Sequence, residues 1–378
     1  MNKKKQIVII NQDSGYLMID IANYFASSDR YDNVVFIAGR IVAIKTRLNE
    51  RIKVKRITAY NRSNALNRPW SWIKATVQIW FLCIFKYRDY ELLLTSNPPT
   101  IPFAMHLCRN SYSVLIFDVY PDGLVSSKFI TKNNLIYKIW AKANKNYFCR
   151  AEKIFTLTDG MANVIAQYSD RSKVRVIPVW PSTDIDKLSD KMSNPFIIAN
   201  HLEGKFIIQY SGNLGKGHNL DVLITLAEKL KNEMDLIFVI IGEGWARDNL
   251  VKLAEEKSLK NVLFLPKQPA EYLSQSLSAA DLAFVSIEPE LDKVCIPSKI
   301  YNVVRLRIPV LSVAREGSEL YKMIMGNGMG LCFESHQTEH MIDYIMKLKN
   351  DKVYYDGITE NLARYSEATT NNVRLFIE

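Results

Sequence analysis

The sequence predicts an α/β protein built from two doubly wound, mostly parallel sheets. Short apolar runs rich in β-branched residues alternate with longer helix-like segments through the whole 378-residue chain, and this alternation is typical of parallel sheets covered by helices. The runs are continuously apolar, as expected of strands that are buried on both faces. The alternation is interrupted once, between Trp180 and Gly204, so we expect two separate sheets.

Twelve runs are predicted to be strands. They are residues 6–10, 34–38, 92–95, 114–117, 154–157 and 174–178 before the interruption, and 206–211, 236–241, 262–265, 282–285, 309–312 and 330–333 after it. We predict an N-terminal Rossmann-like domain over residues 1–180, a hinge over 181–204, a C-terminal Rossmann-like domain over 205–355 and a C-terminal helix over 356–378 that packs back toward the N-terminal domain. In such folds a ligand binds at the carboxyl ends of the strands, here in a cleft between the two halves.

The cysteines and the apolar segments predict a cytoplasmic protein. The five cysteines are scattered and form no C-x-x-C pair, which is not the pattern of a disulfide framework or a zinc site. The basic first residues are followed by an apolar run that is too short for a signal peptide. The longest apolar stretch, residues 75–85, is far shorter than the roughly 20 residues that span a bilayer.

Positive charge is concentrated in the N-terminal half of a chain whose net charge is +10. Between residues 40 and 74 the basic residues are Arg40, Lys45, Arg47, Arg51, Lys53, Lys55, Arg56, Arg62, Arg68 and Lys74, and Glu50 is the single acidic residue. Such a region attracts anionic lipid, nucleic acid or a phosphorylated substrate. A solvated basic face with no ligand is an equally good interpretation.

Large apolar side chains crowd the end of this basic region. They are Trp70, Trp72, Ile73, Ile79, Trp80 and Phe81. Aromatic residues beside Lys and Arg suit a membrane interface, and we expect peripheral contact with an anionic membrane. The alternative is that at least half of these side chains belong to the core of the N-terminal domain.

Five loops, each predicted to follow a strand of the second sheet, suit a ligand that carries phosphate. Residues 211–215 read S-G-N-L-G, 241–244 read I-G-E-G, 265–269 read L-P-K-Q-P, 297–301 read P-S-K-I-Y and 315–319 read R-E-G-S-E. Glycines at a strand-to-helix turn let a ligand approach the backbone, and a helix N-terminus offers free N–H groups to phosphate. A plain chain reversal explains the first loop equally well, but the ordered set of five is much more specific. Nucleic-acid binding would explain the charge and leave the five loops without a role.

These motifs resemble glycosyltransferase family 4 of the GT-B fold, especially the branch that builds bacterial capsule, O-antigen and exopolysaccharide. That branch shows S-G-N-L-G, I-G-x-G, L-P-x-x-P, P-S-K-x-Y, a Pro-Val strand and a glutamate, which here are the loops above, Pro309-Val310 and Glu319. In the N-terminal half, D-V-Y-P-D at 118–122 is similar to the family's D-x-W-P-[DE], and V-I-P-V-W at 176–180 to its V-I-P-N-W.

The resemblance implies a fold and an activity. The fold would be two Rossmann-like domains that face a central cleft. The activity would be the retaining transfer of a sugar from a UDP- or GDP-linked donor to a saccharide or a polyprenyl-diphosphate-linked saccharide, at the inner face of the cytoplasmic membrane.

The resemblance also implies a donor site. Gly212, Asn213 and Gly215 would wrap the donor diphosphate with Lys216 near it, and Glu319 would bind the ribose hydroxyls. For Glu319 the alternative is a solvated carboxylate at the start of a helix.

The remaining implied donor residues lie on three of the other loops. Gly242 and the loop that carries Lys267 and Gln268 would border the base. Ser298, which follows Pro297, would meet phosphate through its backbone and Lys299 would add charge. For Lys299 the alternative is an ordinary surface charge.

The expected chemistry is stabilisation of a leaving diphosphate by main-chain amides, Lys216 and Lys299. No D-x-D sequence stands where it would hold a metal on the diphosphate, so we expect neither a metal nor a cofactor. Asp118 or Asp122 would orient the acceptor hydroxyl or accept its proton, although Asp122 is equally well interpreted as a helix cap or turn residue.

Two further positions bear on the acceptor and on activity. In the loop after the first strand, Ser14 and Gly15 would admit the sugar or an acceptor phosphate, and a plain turn is the alternative. Many family members carry two glutamates eight positions apart, where this chain has Val294 and Asn302. That difference keeps a non-catalytic partner subunit as an alternative function, beside a nucleotide-sugar 2-epimerase on the same fold.

Overall fold

The chain divides into two compact units. A computed structural model describes residues 5–43, 45–61, 63, 67–182, 185, 191–215, 219–292 and 296–377. The first unit runs to Trp180 and includes the C-terminal residues from Asn371, and the second comprises Pro181–Asp292 and Ile296–Thr370. Each unit contains its own parallel sheet.

The first unit is organised around a sheet that has seven strands among the described residues. The described strands of the whole unit, seven in this sheet and two in a separate pair, are β1 (Lys5–Ile10), β2 (Asp13–Ser14), β3 (Tyr31–Ala38), β4 (Arg40–Ile41), β5 (Lys53–Arg56), β6 (Glu91–Thr95), β7 (Tyr112–Ile116), β8 (Ile154–Thr156) and β9 (Val174–Val176). The main sheet has the order β5-β3-β1-β6-β7-β8-β9, and β2 pairs separately with β4.

Helices cover both faces of this sheet. They are α1 (Tyr16–Ser27), α2 (Asn67–Phe85), α3 (Ile101–Met105), α4 (Asp122–Ser126), α5 (Leu135–Arg150) and α6 (Asp159–Ile165). Buried side chains of α2, α3, α5 and α6 pack on one face, and those of α1 pack on the other together with Trp180 and Phe376. Successive side chains along a strand therefore point alternately into two apolar cores, one on each face of the sheet.

The second unit repeats this plan on a sheet with six strands among the described residues. The strands are β10 (Phe206–Ser211), β11 (Leu236–Ile241), β12 (Val262–Leu265), β13 (Leu282–Ser286), β14 (Val310–Val313) and β15 (Gly330–Phe333), in the order β12-β11-β10-β13-β14-β15. The helices are α7 (Pro195–Ala199), α8 (Asp221–Lys229), α9 (Arg247–Glu256), α10 (Leu273–Ser278), α11 (Lys299–Arg305), α12 (Glu319–Gly326), α13 (Thr338–Asn350) and α14 (Lys352–Thr369).

The predicted α/β class with two doubly wound parallel sheets is confirmed. All twelve predicted strands are present, with ends that differ by a few residues. The prediction missed three strands: the two-residue strands β2 and β4, and β5, whose four residues are all exposed at the edge of the main sheet. An edge strand of lysine and arginine avoids pairing with other chains, but its composition hides it from a search for apolar runs.

The structure differs from the predicted hinge and C-terminal helix. Within the predicted hinge, Asn194 caps α7 by accepting from the Phe196 N–H at 3.0 Å, and Phe196 packs on β10 and β11. A Pro at the first helical position and an Asn cap favour helix here. Helix α14 belongs to the second unit, and only the segment from Asn371 joins the first, where the Phe376 ring lies 4.9 Å from that of Phe155.

Candidate functional site

The five predicted loops emerge along one edge of the second unit's sheet. Strands β12, β11, β10, β13 and β14 are consecutive neighbours and parallel, so their carboxyl ends lie side by side. The loops that follow them are therefore brought together by strand order, although they are spread over about a hundred residues of sequence. This edge is the candidate ligand site of the second unit.

Glycines allow two of these loops to stack directly on each other. Gly242 and Gly244 have φ values of 143° and 148°, which side chains rarely permit. A Cβ at Gly242 would overlap the carbonyl oxygen of Gly212, and one at Gly244 would overlap that of Leu214. The Leu214 N–H donates to the Glu243 carbonyl at 2.8 Å, which holds the two loops in this arrangement.

Lys299 extends under the first glycine loop. Its Nζ lies 3.6 Å from the centroid of the Tyr210 ring, and a Cβ at Gly212 would stand 3.1 Å from the same nitrogen. The nitrogen is buried and has no hydrogen-bond partner among the described residues. Burial lowers the pKa of Lys299 to about 7, because desolvation disfavours the ammonium form.

Tyr210 supports both sides of this arrangement. Its ring lies beneath the Lys299 nitrogen, a cation–π contact when that nitrogen is charged. Its hydroxyl donates to the Asn213 carbonyl at 2.6 Å and so fixes the turn of the glycine loop. The sequence analysis missed Tyr210, because a tyrosine inside an apolar strand is indistinguishable in sequence from an ordinary core residue.

Most other predicted donor residues lie on the same edge. Asn213, Ser298 and Lys267 are exposed, and Gly215 and Pro297 are half-buried. The Gly242 N–H donates to the Leu265 carbonyl at 3.0 Å, which brings the loop with Lys267 beside the glycine loops.

Some predicted positions differ from the expectation or lie outside the described residues. Gln268 is half-buried and donates to the Pro266 carbonyl at 2.8 Å. Ser298 stands at the cap position of α11 but makes no capping side-chain bond. Lys216 and Val294 lie outside the described residues, and Asn302 is half-buried on α11.

Glu319 begins α12 after the last of the five loops. Its side chain is 12% exposed and its Oε1 accepts from Lys322 Nζ at 3.0 Å, so it is not the fully solvated carboxylate of the alternative interpretation. Ser318 caps the helix by accepting from the Tyr321 N–H at 3.2 Å. Beside this loop, Arg315 Nη2 donates to Asp292 Oδ2 at 2.6 Å and ties the ends of β13 and β14 together.

The corresponding edge of the first unit has a different character. Ser14 is buried, and its hydroxyl donates to the Asn11 carbonyl at 3.1 Å while it accepts from Asn11 Nδ2 at 3.0 Å. Thr95 Oγ1 in turn donates to Asn11 Oδ1 at 2.8 Å. Gly15 is exposed, has ordinary extended backbone, and has open space where a Cβ would point.

The two predicted aspartates of this unit occupy different environments. Asp118 is exposed, and its backbone N–H donates to Ser96 Oγ at 3.2 Å. Asp122 is buried, and its carboxylate accepts from the hydroxyls of Tyr137 at 3.1 Å and Tyr168 at 2.5 Å. The Asp122 bonds hold α4 to α5 and to the residues after α6, whereas Asp118 is an exposed residue at the carboxyl edge of the sheet.

A match to a protein-family model agrees with the location of this edge. The model is described as "Glycosyl transferases group 1" and matches residues 194–371, which include all five loops. The matched residues include the stacked glycine loops, Lys299 and Glu319.

Two curated proteins are similar to parts of the chain. The probable glycosyltransferase WbjE of Pseudomonas aeruginosa is 23% identical over 64% of this chain and 62% of its own length. The putative colanic acid biosynthesis glycosyl transferase WcaI of Escherichia coli K12 is 29% identical over 42% of this chain and 37% of its own. The matches thus span between one-third and two-thirds of these relatives, both of which are named as glycosyltransferases.

Solved structures extend the likeness from these matched segments to the whole chain. The structure of Anabaena HepE in complex with UDP and glucose superposes with a TM-score of 0.71 at 14% identity, covering 98% of this chain and 96% of that one. The chain therefore has the GT-B fold, with one Rossmann-like unit on each side of Trp180. Among the residues that the model describes, no helix combines the length and apolar character needed to cross a membrane.

Proposed function

We propose that this protein is a retaining glycosyltransferase that transfers a sugar from a nucleotide-sugar to a saccharide acceptor in bacterial surface polysaccharide synthesis. The observation that carries the proposal is the buried Lys299 nitrogen next to Gly212, at an edge where two glycine loops stack on each other. A desolvated lysine at such a strand-to-helix turn is suited to bind a diphosphate and to stabilise it as a leaving group.

In the proposed complex the second unit holds the donor. The diphosphate lies over Gly212, Asn213 and Gly215, within reach of Lys299, and Lys216 adds a second charge. Glu319 accepts from the ribose hydroxyls, and Gly242 with the loop of Lys267 and Gln268 borders the base. UDP is the favoured nucleotide, because HepE, which shares the fold, was solved with UDP and glucose; GDP is the alternative.

The proposed reaction needs no metal ion. Negative charge develops on the oxygen that leaves the anomeric carbon, and the chain's own amides and lysines neutralise it. Asp118 orients the acceptor hydroxyl or accepts its proton, since it is an exposed residue at the edge of the first sheet. Buried Asp122 positions the loop that carries Asp118.

The acceptor is proposed to be a saccharide linked to a polyprenyl diphosphate, at the inner face of the cytoplasmic membrane. Support comes from the similarity to WcaI, named for colanic acid biosynthesis, and from the excess of basic residues in the first unit. A protein that meets such an acceptor must approach an anionic membrane while remaining peripheral to it.

Calorimetric titration of the full chain with UDP, GDP and their glucose conjugates tests the donor site. Transfer of radiolabelled sugar to a bacterial lipid extract, with and without EDTA, then tests the reaction. Binding followed by metal-independent transfer supports the proposal. Binding without any turnover would instead favour the non-catalytic partner subunit, conversion of the free nucleotide-sugar would favour the epimerase, and failure to bind any nucleotide would reject the proposal.

A further inference from the structure

The outer side of α2 presents a continuous apolar stripe to solvent. Trp70, Ile73, Val77, Phe81 and Phe85 are between 44% and 68% exposed. Their spacing of three or four residues puts them on one side of the helix. The opposite side carries the buried residues that pack on the sheet, which are Ser71, Trp72, Ala75, Thr76, Ile79 and Cys83. Helix α2 is thus apolar on both sides, and only one side is covered.

The adjacent helices extend the stripe into a wider surface. Helix α3 packs between α2 and α5, and all three helices cover the same face of the first sheet. Their outward sides therefore point in one direction, away from that sheet. The exposed apolar residues there are Phe103 and Leu107 from α3 and its C-terminus, and Leu135, Ile136 and Ile139 from α5. A contiguous apolar patch on this scale marks an interaction site on a water-soluble unit.

The charged residues on α2, α3 and α5 themselves are all basic. Residues 51–88 and 123–151 contain lysines and arginines but no aspartate or glutamate. Lys74 and Lys86 are exposed on and just after α2, and Lys138 and Lys142 are exposed on α5. The Lys74 nitrogen lies 5.8 Å from the Trp70 ring centroid, so the cations are interleaved with the apolar side chains. A protein partner would have to be strongly acidic and apolar at once, whereas an anionic bilayer surface has both properties.

We propose that the outward sides of α2, α3 and α5, here named the α2–α5 face, dock onto the surface of an anionic lipid bilayer. The aromatic side chains enter the region between headgroups and acyl chains, while the lysines contact the headgroup phosphates. Helix α2 then lies in the plane of the bilayer, because its buried side stays on the sheet. This inference rests on the proposed function, which requires contact with a membrane, and it names the surface that makes the contact.

Flotation with lipid vesicles tests the apolar part of the face. The full chain is mixed with phosphatidylcholine vesicles, with or without phosphatidylglycerol, and we expect binding only to the anionic vesicles. The double variant Phe81→Ser, Phe85→Ser should reduce the partition coefficient about tenfold, because it removes the pair of rings whose centroids lie 4.5 Å apart on the face. The matched control is Tyr24→Ser, since Tyr24 is an exposed aromatic on α1, which covers the opposite face of the sheet.

A second pair of variants tests the charges and does not disturb the apolar side chains. Lys138→Glu with Lys142→Glu should weaken binding to anionic vesicles by about tenfold or more, because each basic residue near such a surface contributes to attraction. Lys260→Glu in the second unit is the control, and it should change binding little. Raising the salt concentration should reproduce the effect of the lysine variants, since a surface attraction is screened.

Three results would overturn the inference. The first is equal binding of the wild type and both double variants to anionic vesicles, and the second is no binding by the wild type. The third is concentration-dependent self-association in sedimentation velocity that the Phe81→Ser, Phe85→Ser change abolishes, which would assign the face to a second copy of the chain. Titration of every variant with UDP separates these outcomes from a failure of the proposed function, because the donor edge belongs to the other unit.

Discussion

The carboxyl edges of the two sheets differ in how their polar groups are satisfied. In the second unit, two glycine loops stack directly on each other, and the Lys299 nitrogen has no hydrogen-bond partner among the described residues. In the first unit, the side chains of Asn11, Ser14 and Asp122 bond to neighbouring groups of the same edge, although Gln12 Oε1 is buried without a partner among the described residues. The second unit thus has an unpartnered ionisable group at its edge, while the first has satisfied most of its polar side chains there.

This difference indicates in which unit a small set of residues can dominate ligand binding. A buried amine without a hydrogen-bond partner costs stability, and a ligand that bonds to it offsets this cost. A self-satisfied polar edge is stable without a ligand and recognises its substrate through the few groups that remain exposed, such as Asp118. We therefore expect single substitutions to have large effects on the ligand binding of the second unit and smaller effects in the first.

The largest expected effect comes from Gly242→Ala. The new Cβ would overlap the Gly212 carbonyl oxygen at a φ of 143°, so the stacked loops must separate. We expect UDP binding to weaken by about 100-fold or more and the free energy of unfolding to fall by about 2–4 kcal/mol. Calorimetric titration and thermal denaturation measure the two effects.

The matched substitution in the first unit is Gly15→Ala. Gly15 also follows a strand, but its backbone is extended and the space beyond it is open. The free energy of unfolding and the affinity for UDP should change little. If Gly242→Ala bound UDP as the wild type does, or Gly15→Ala were the more damaging change, the contrast between the two edges would be wrong.

The contrast also explains which features the sequence could predict. Continuous apolar runs fix the strands, because parallel strands must be apolar on both faces, and the glycine loops are visible because only glycine tolerates their backbone. The pairing of Lys299 with Tyr210 was beyond prediction, since it depends on β13 lying beside β10 in the sheet. Bonds between distant residues, such as Tyr168 with Asp122, leave no local pattern.

For α2, the spacing of the large apolar residues in the sequence indicates which of them are buried and which are exposed. Trp72 and Ile79 are buried, Trp80 is half-buried, and Trp70 and Phe81 are exposed. The helical period separates these sets, because residues three or four positions apart share a side. The core interpretation is therefore confirmed for Trp72 and Ile79, whereas contact of the exposed members with a membrane stays a prediction.

The next largest effect is expected for Lys299→Met. Methionine fills similar space on the Tyr210 ring but removes the charge that we propose to face the donor diphosphate. We expect UDP-glucose binding to weaken by about 30-fold, a typical loss for a charge-assisted bond. The melting temperature should stay the same or rise, since a desolvated amine is replaced by an apolar group.

Lys260→Met is the control for this experiment. Lys260 is an exposed lysine of the same unit that lies before β12, so its loss should alter neither property. Reduced stability in Lys299→Met without any loss of UDP-glucose affinity would mean that Lys299 is a structural residue.

A smaller effect is expected from pH. The pKa of Lys299 is lowered to about 7, so the free protein carries a charged ammonium below that value and a neutral amine above it. A bound diphosphate favours the charged form, and binding at pH 8 must therefore take up a proton. Affinity for UDP-glucose should fall by about tenfold between pH 6 and pH 8.5, because the doubly esterified diphosphate keeps its charge over this range.

Calorimetry in buffers of different ionisation enthalpy measures the proton uptake directly. The uptake should be absent in Lys299→Met, and the affinity of that variant should be independent of pH. A wild-type affinity that is constant from pH 6 to pH 8.5 would contradict the role of the Lys299 charge in donor binding.

The smallest effect is expected at the self-satisfied edge, from a comparison of Asp122→Asn with Asp118→Asn. In Asp122→Asn the amide nitrogen replaces one of the two oxygens that accept from Tyr137 and Tyr168, and we expect the free energy of unfolding to fall by about 1–2 kcal/mol. In Asp118→Asn transfer to the acceptor should slow, while the free energy of unfolding should fall by less than in Asp122→Asn, because Asp118 is exposed and Asp122 is buried. Denaturant unfolding measures the structural role of Asp122, and the transfer assay measures the acceptor role of Asp118. A loss of stability confined to Asp118→Asn would mean that Asp118 is the structural residue and that Asp122 reaches the acceptor.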